Sequence, residues 1–174
     1  MKSRWFLTTL TAFAALAVYV GNGLATPATP TPGFAGKTLA MATFGEIDSH
    51  IHTAPASWQE MIKTKGQSDL YVQQNTWDPV TCKCTPTTGW HTHPGPSLVI
   101  VTQGTVTEYD GDDPTCTPHV YSANGTNSFV DIGGGAVHLI RDESGAVAQT
   151  IAVQLVPAGA MRRQDADDPG NCSF

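Results

Sequence analysis

His91 and His93 stand two apart in the stretch GWHTHPGPSLVIVTQG, residues 89–104. In an extended strand alternate side chains share a face, so both imidazoles point the same way. Two imidazoles on one face of one strand can grip one metal ion. A third histidine, His138, ends the glycine-rich segment GGGAVH. Two ligands on one strand and one from a distant strand would give a β-barrel a three-histidine metal site inside itself.

Such a site needs strands to carry it, and the chain supplies them. Residues 38–46, 69–76, 97–103, 106–109, 127–131, 137–141 and 147–156 are enriched in β-branched and aromatic types. Clusters of Gly, Pro and Asp separate them, as in DGDDPTCTP and GGG. Residues 56–65 are expected to form one or two helical turns; no long segment has helical periodicity. Many short strands predict a sandwich or a jelly-roll barrel. If His91 and His93 point inward, Ser97, Val99 and Val101 share their parity, and Leu98 and Ile100 face outward. Because LVIV is apolar at every position, the outer face is expected to be covered as well, by another segment or a partner.

A ligating histidine donates its second ring N–H to a carbonyl or carboxylate. Gln154, on the last long strand, and Tyr71 are the candidates for catalytic hydrogen bonding in the cavity. The alternatives are an outward polar residue for Gln154 and plain aromatic packing for Tyr71; Tyr109 admits the same two readings as Tyr71. Trp90 should point away from the metal, to pack under a loop or to stack on a partner or a sugar. His50 and His52 form a second pair two apart, read as loop or edge residues, and His119 as a strand-end residue within reach of the mouth of the site.

The 174 residues suit one domain. Lys2 and Arg4, an apolar run to Val20 and small residues before Ala25 predict a secretory signal peptide over 1–25. Residues 26–33, TPATPTPG, read as an extended Pro/Thr-rich linker, and 34–174 as the folded domain. The mature chain then holds seven basic residues against fifteen acidic ones. This balance argues against nucleic acid and against anionic membranes. Export makes disulfides the expected state of Cys82, Cys84, Cys116 and Cys172. Of the three connectivities, Cys116 with Cys172 is favoured, which leaves Cys82 with Cys84; the alternative use of that CKC pair is a soft copper site.

The histidine stretch resembles the first motif of the cupin superfamily. His91, His93 and Gly104 fall in place, but the acidic position holds Ser97. The second motif is matched by Gly135 and His138, with Gly133 in place of a proline and Asp142 in place of an asparagine. The phrases WHTHPGPSL, DDPTCTPHVY and GGGAVH are similar to those of small exported bacterial single-domain cupins. The resemblance covers about residues 69–156 and implies an all-β cupin jelly-roll barrel. It implies one metal held by His91, His93 and His138, without the usual carboxylate. Three neutral ligands leave a position open for water, dioxygen or substrate. An all-imidazole set ranks copper first, iron second and zinc third, with manganese disfavoured. The function implied is a secreted metal-dependent oxidoreductase using dioxygen or peroxide. By analogy its first substrate is an extracellular polysaccharide such as cellulose. The alternatives are a dioxygenase of diketones or flavonols and a non-catalytic metal- or sugar-binding module. Cupins often pair through their outer sheets, so a homodimer is expected.

Overall fold

The computed structural model describes residues 30–53 and 58–174. The signal peptide read over 1–25 lies outside the described residues, as do positions 26–29 of the linker. Twelve strands are present among the described residues: β1 (Phe34–Phe44), β2 (Asp48–His52), β3 (Gln59–Lys63), β4 (Ser68–Trp77), β5 (His91–Thr92), β6 (Ser97–Gln103), β7 (Thr105–Asp110), β8 (His119–Ser122), β9 (Ser128–Asp131), β10 (His138–Arg141), β11 (Ala148–Pro157) and β12 (Gln164–Asp165). One short helix, α1 (Pro79–Cys82), starts with a proline, whose missing N–H costs nothing there, and is capped by Asp78, which accepts from Thr81 N at 2.9 Å.

Two antiparallel five-stranded sheets carry the domain, in the orders β1-β4-β11-β6-β9 and β12-β5-β10-β7-β8. Strands β4 to β11 account for eight of the ten; apart from the β7–β8 hairpin, consecutive strands switch sheets, in the manner of an eight-stranded jelly roll, the architecture of cupins. Trp77, Val99, Val101, Val106, Phe129, Ile140, Ala148 and Ala152 fill the space between the sheets. The parity of β6 is as expected: Ser97, Val99 and Val101 are buried, Leu98 and Ile100 exposed. Among the described residues the outer face of β6 is therefore uncovered, where the run LVIV predicts cover.

Two segments differ from expectation. In place of helical turns over 56–65, Gln59–Lys63 is a strand paired with Asp48–His52 as an exposed hairpin; positions 56 and 57 lie outside the described residues. Pairing across the hairpin satisfies its backbone, a Lys63–Asp48 side-chain ion pair of 2.9 Å joins the two strands, and together they override a weak local helical preference. Thr31 and Gly33, at the end of the segment read as linker, are bonded to the domain. Thr31 N donates to Thr87 O at 3.1 Å, and Asp78 N donates to Gly33 O at 2.7 Å.

A second apolar cluster lies on the opposite side of the β5-β10-β7 sheet. Trp90, Tyr109 and Leu139, each one position out of phase with a site-facing residue, pack against Val137, Phe174 and the Cys116–Cys172 disulfide. Trp90 is thus buried beneath the C-terminal tail, and the readings that put it at the surface for a partner or a sugar are corrected. The second disulfide joins Cys82 to Cys84, so neither thiol is available as a copper ligand.

Candidate metal centre

The site is made by two cross-strand rows that face each other. In one sheet His138 is in register with His91. In the other, register runs from Tyr71 to Gln154, from Gln154 to Ser97 and from Ser97 to Asp131. Residues directly opposite in antiparallel strands share a face. Gln154, Ser97 and Asp131 therefore confront the histidines. His93 lies between the rows, where the chain leaves β5 for β6.

This crossing depends on glycine. Gly133 has a φ of +65°, which proline cannot adopt, and a Cβ there would overlap Gly95 O. The position where the family pattern carries a proline is thus a tight left-handed turn, wedged against the loop after His93.

His91, His93 and His138 are 3–5 % exposed. They offer ligand atoms that all lie within 4.8 Å of one another, so the group could hold one metal ion. His91 Nδ1 donates to Gly89 O at 2.9 Å and His93 Nδ1 donates to Arg162 O at 2.7 Å. A carbonyl only accepts, so these bonds place a proton on each Nδ1 and leave each Nε2 free to ligate when the ring is neutral. Neutrality is favoured at all three. Burial lowers His91 well below the usual imidazole range, helped by the His138 and Arg163 charges. Burial also lowers His138, to about 4, against the opposing Asp131 carboxylate. His93 is lowered by burial too, partly offset by its bond to Arg162 O and by Asp131.

Position 97 holds no acid, and the group that could hold the ion contains three histidines and no carboxylate; a carboxylate from elsewhere, Asp131, lies beside it. Asp131, in register with Ser97, brings Oδ2 to 3.6 Å from His93 Nε2 and Oδ1 to 3.7 Å from His138 Nδ1. Gly133 N donates to Oδ1 at 2.9 Å, while Oδ2 is buried with no hydrogen-bond partner. His138 Nδ1 is likewise buried and without one. Unsatisfied polar atoms beside two further imidazoles are costly unless something cationic joins them, so the donor set fits a metal ion.

Gln154 is buried at the site. Its Nε2 donates to Ser97 Oγ at 2.9 Å and lies 3.3 Å from His93 Nδ1, and its Oε1 accepts from Arg162 Nη1 at 3.0 Å. Tyr71 shares its row but is only partly buried and does not line the cavity that the histidines line. That cavity has a volume of about 210 Å³. Its walls include apolar side chains, among them Phe34, Val99, Phe129 and Ile140, as well as Arg162 and Arg163. A second cavity of about 370 Å³ reaches Asp131 and His138 from the other side and is lined by Glu108, Asp110, Asp112 and His119. His119 is therefore close to the site, 3.6 Å from Asp110, but outside the three-histidine group. Burial and the Asp110 and Asp131 charges raise Glu108 to about 7. Tyr109 donates to Glu143 at 3.0 Å on the far side of its sheet, which removes it from the cavity. His50 and His52 sit on the exposed hairpin with ring centroids 4.5 Å apart and join no third ligand among the described residues.

Asp131, Arg162 and Arg163 were not legible as site residues. The one available signal for Asp131 is its place in SFVD, where it shares a strand face with buried Phe129. No signal marks the arginines, which lie beyond the last long strand.

The sequence matches no family model and no curated protein. Among solved structures it is similar to a cupin superfamily protein from Desulfitobacterium hafniense, at 8% identity and a TM-score of 0.40, over 69% of this chain and 81% of that one. It is similar to Peruvianin-I, described as a cysteine peptidase from Thevetia peruviana latex, at 18% identity and a TM-score of 0.47, over 94% and 89%. An oxalate oxidase matches at 16% identity and a TM-score of 0.44, over 87% and 72%. The fold follows from this chain's own strand order and register: it is a cupin-type jelly roll, with His91, His93 and His138 gathered at one point inside it.

Proposed function

We propose that this protein is a secreted oxidoreductase that holds one transition metal through His91, His93 and His138. The observation that carries the reading is the convergence of three buried imidazoles beside the unpartnered Oδ2 of Asp131. When bound, the metal would supply one-electron redox chemistry towards dioxygen or peroxide. The chain supplies the rest. Gly89 O and Arg162 O hold two imidazole rings in orientation. Ser97 and Arg162 hold Gln154 beside His93, where its amide can bond a ligand. The imidazole set supports copper first, then iron, then zinc; Asp131 adds a hard oxygen donor that narrows the gap between copper and iron.

Between the two substrate readings, cavity size favours a small molecule over a polysaccharide. Ligand sites for drug-sized molecules run to roughly 300–1,000 Å³, and this cavity is smaller. A cellulose chain would have to bring a glycosidic bond to histidines that are almost wholly buried. Tyr71, away from the cavity wall, is the weaker of the two catalytic candidates. The two disulfides suit an oxidising compartment, in keeping with export.

The test is metal analysis of the purified protein, then assay of copper-, iron- and zinc-loaded samples under air or with peroxide. Cellulose with ascorbate, a diketone and a flavonol serve as substrates. An oxidised product from a copper- or iron-loaded sample is the expected result. No product from any of them would leave a metal- or sugar-binding module.

A further inference from the structure

The cavity beside the histidines holds more cationic groups than its metal reading uses. Among the described residues its walls contain one carboxylate, Asp131, and two guanidinium groups, Arg162 and Arg163. In a chain of formal net charge −6, the Arg162 guanidinium stands in this wall without a carboxylate of its own. Arg162 makes no ion pair among the described residues; its Nη1 is spent on the neutral Gln154 carbonyl. Arg163 directs Nη2 to Thr88 O at 2.8 Å and to Asp165 at 2.6 Å, while its Nη1 is buried with no partner. Burying a guanidinium donor without an acceptor is costly, and a planar fork of this kind matches a carboxylate. A divalent ion on the histidines would add further positive charge.

We propose that Arg162 and Arg163 form an anion subsite that takes the carboxylate of a small organic acid next to the three histidines. The rest of the ligand has a place too: Phe34, Val99, Phe129 and Ile140 give the same cavity an apolar wall. An inorganic anion would leave that wall unused, and a neutral sugar would leave the Arg162 charge without a counter-charge. The cavity volume of about 210 Å³ limits the acid to a few carbons. The subsite deepens the oxidoreductase reading by naming its substrate class, and it rests on that reading only for the oxidation of the bound acid, not for its binding.

Binding is therefore tested with and without metal. Calorimetric titrations use a panel of mono- and dicarboxylic acids of two to six carbons, malonamide as the uncharged partner of malonate, and inorganic phosphate. Both metal-free and copper-loaded full-length protein are titrated. At least one carboxylate is expected to saturate the site, with malonamide at least about tenfold weaker than malonate. Arg163→Gln should weaken the best carboxylate by about tenfold or more at unchanged metal content, and Arg163→Lys should recover part of the loss. In the unaltered protein the same acid should shield Arg162 and Arg163 from an arginine-modifying dicarbonyl, read by mass spectrometry, so that no variant has to fold for the test to be decided. Equal binding of malonamide, an unaffected Arg163→Gln, phosphate binding tighter than every carboxylate, or no shielding would each overturn the subsite. Metal uptake without carboxylate binding would overturn the subsite alone. Carboxylate binding without metal uptake would overturn the oxidoreductase reading and leave the subsite standing.

Discussion

At the scale of residues, the three histidines are prepared for a metal by groups that are not ligands. Replacing His91 by Ala is expected to reduce bound copper below a tenth of the wild-type content, whereas His50→Ala and His52→Ala should retain all of it; inductively coupled plasma mass spectrometry decides. The depressed histidine pKa values have a consequence for stability. Between the folded value, about 4 for His138, and the ordinary value near 6.5, the unfolded chain binds more protons than the folded one. This contribution is fully present above pH 6.5 and is lost as pH falls towards 4. Glu108 acts in the opposite direction. Its folded pKa, raised to about 7 from 4.5, gives a contribution that is present at low pH and lost as pH rises through 7. Glu108→Gln should therefore stabilise the metal-free protein at pH 8, on the order of 2 kcal/mol. It should also make the loss of stability on acidification from pH 6.5 to 4.5 steeper, because the opposing group is gone. Urea unfolding at pH 8, 6.5 and 4.5 measures both effects.

At the scale of elements, the short strand β12 governs the site from outside the barrel. It pairs with β5, Gln164 opposite Thr92 and Asp165 opposite His91. That pairing holds the preceding Arg162 carbonyl against His93 and sets both arginines in the cavity wall. The element is too short to hold itself, and its neighbours secure it. Ala166 N donates to Trp90 O at 3.0 Å, the Asn171 amide donates to two backbone carbonyls, and Cys172 is bridged to Cys116. The bridge spans a sequence separation of 56, worth about 4 kcal/mol by loop entropy. Cys172→Ser is expected to lower the unfolding temperature. It should also weaken metal affinity about tenfold, the usual effect of losing a group that orients a ligand. A chelator competition titration on the folded variant reads the second effect independently of the first.

At the scale of the whole molecule, the outer face of the larger sheet has an apolar row. Register aligns Val72, Val153, Leu98 and Val130 across β4, β11, β6 and β9. Leu98 and Val130 are 56 % and 57 % exposed in the single chain. Exposed apolar rows of this kind are ordinarily covered, and the proposed cover is a second copy of this chain. Sedimentation velocity at micromolar concentration should show a dimer, and Leu98→Asp should shift it to monomer with metal content unchanged. A monomeric wild-type protein would overturn the dimer.

The part of the fold legible in the residues alone is the part governed by the strand's short period. Alternation put Ser97, Val99 and Val101 on one face of β6, because that depends only on the backbone of one strand, whereas His91 and His93 belong to β5 and the loop after it, in the facing sheet. The major strands were legible for the same reason, since β-branched runs bounded by Gly, Pro and Asp carry their own signal. The exceptions, β2, β3, β5, β8 and β12, are short and owe their existence to pairing with partners elsewhere. Tertiary structure alone decided the chemistry around the histidines. Asp131 comes to lie beside two of the histidines because β6 and β9 are in register. Arg162 and Arg163 enter the cavity because the tail is tied back to β5, more than sixty residues away in sequence. Such meetings are set by pairing between distant segments, and no local pattern records them.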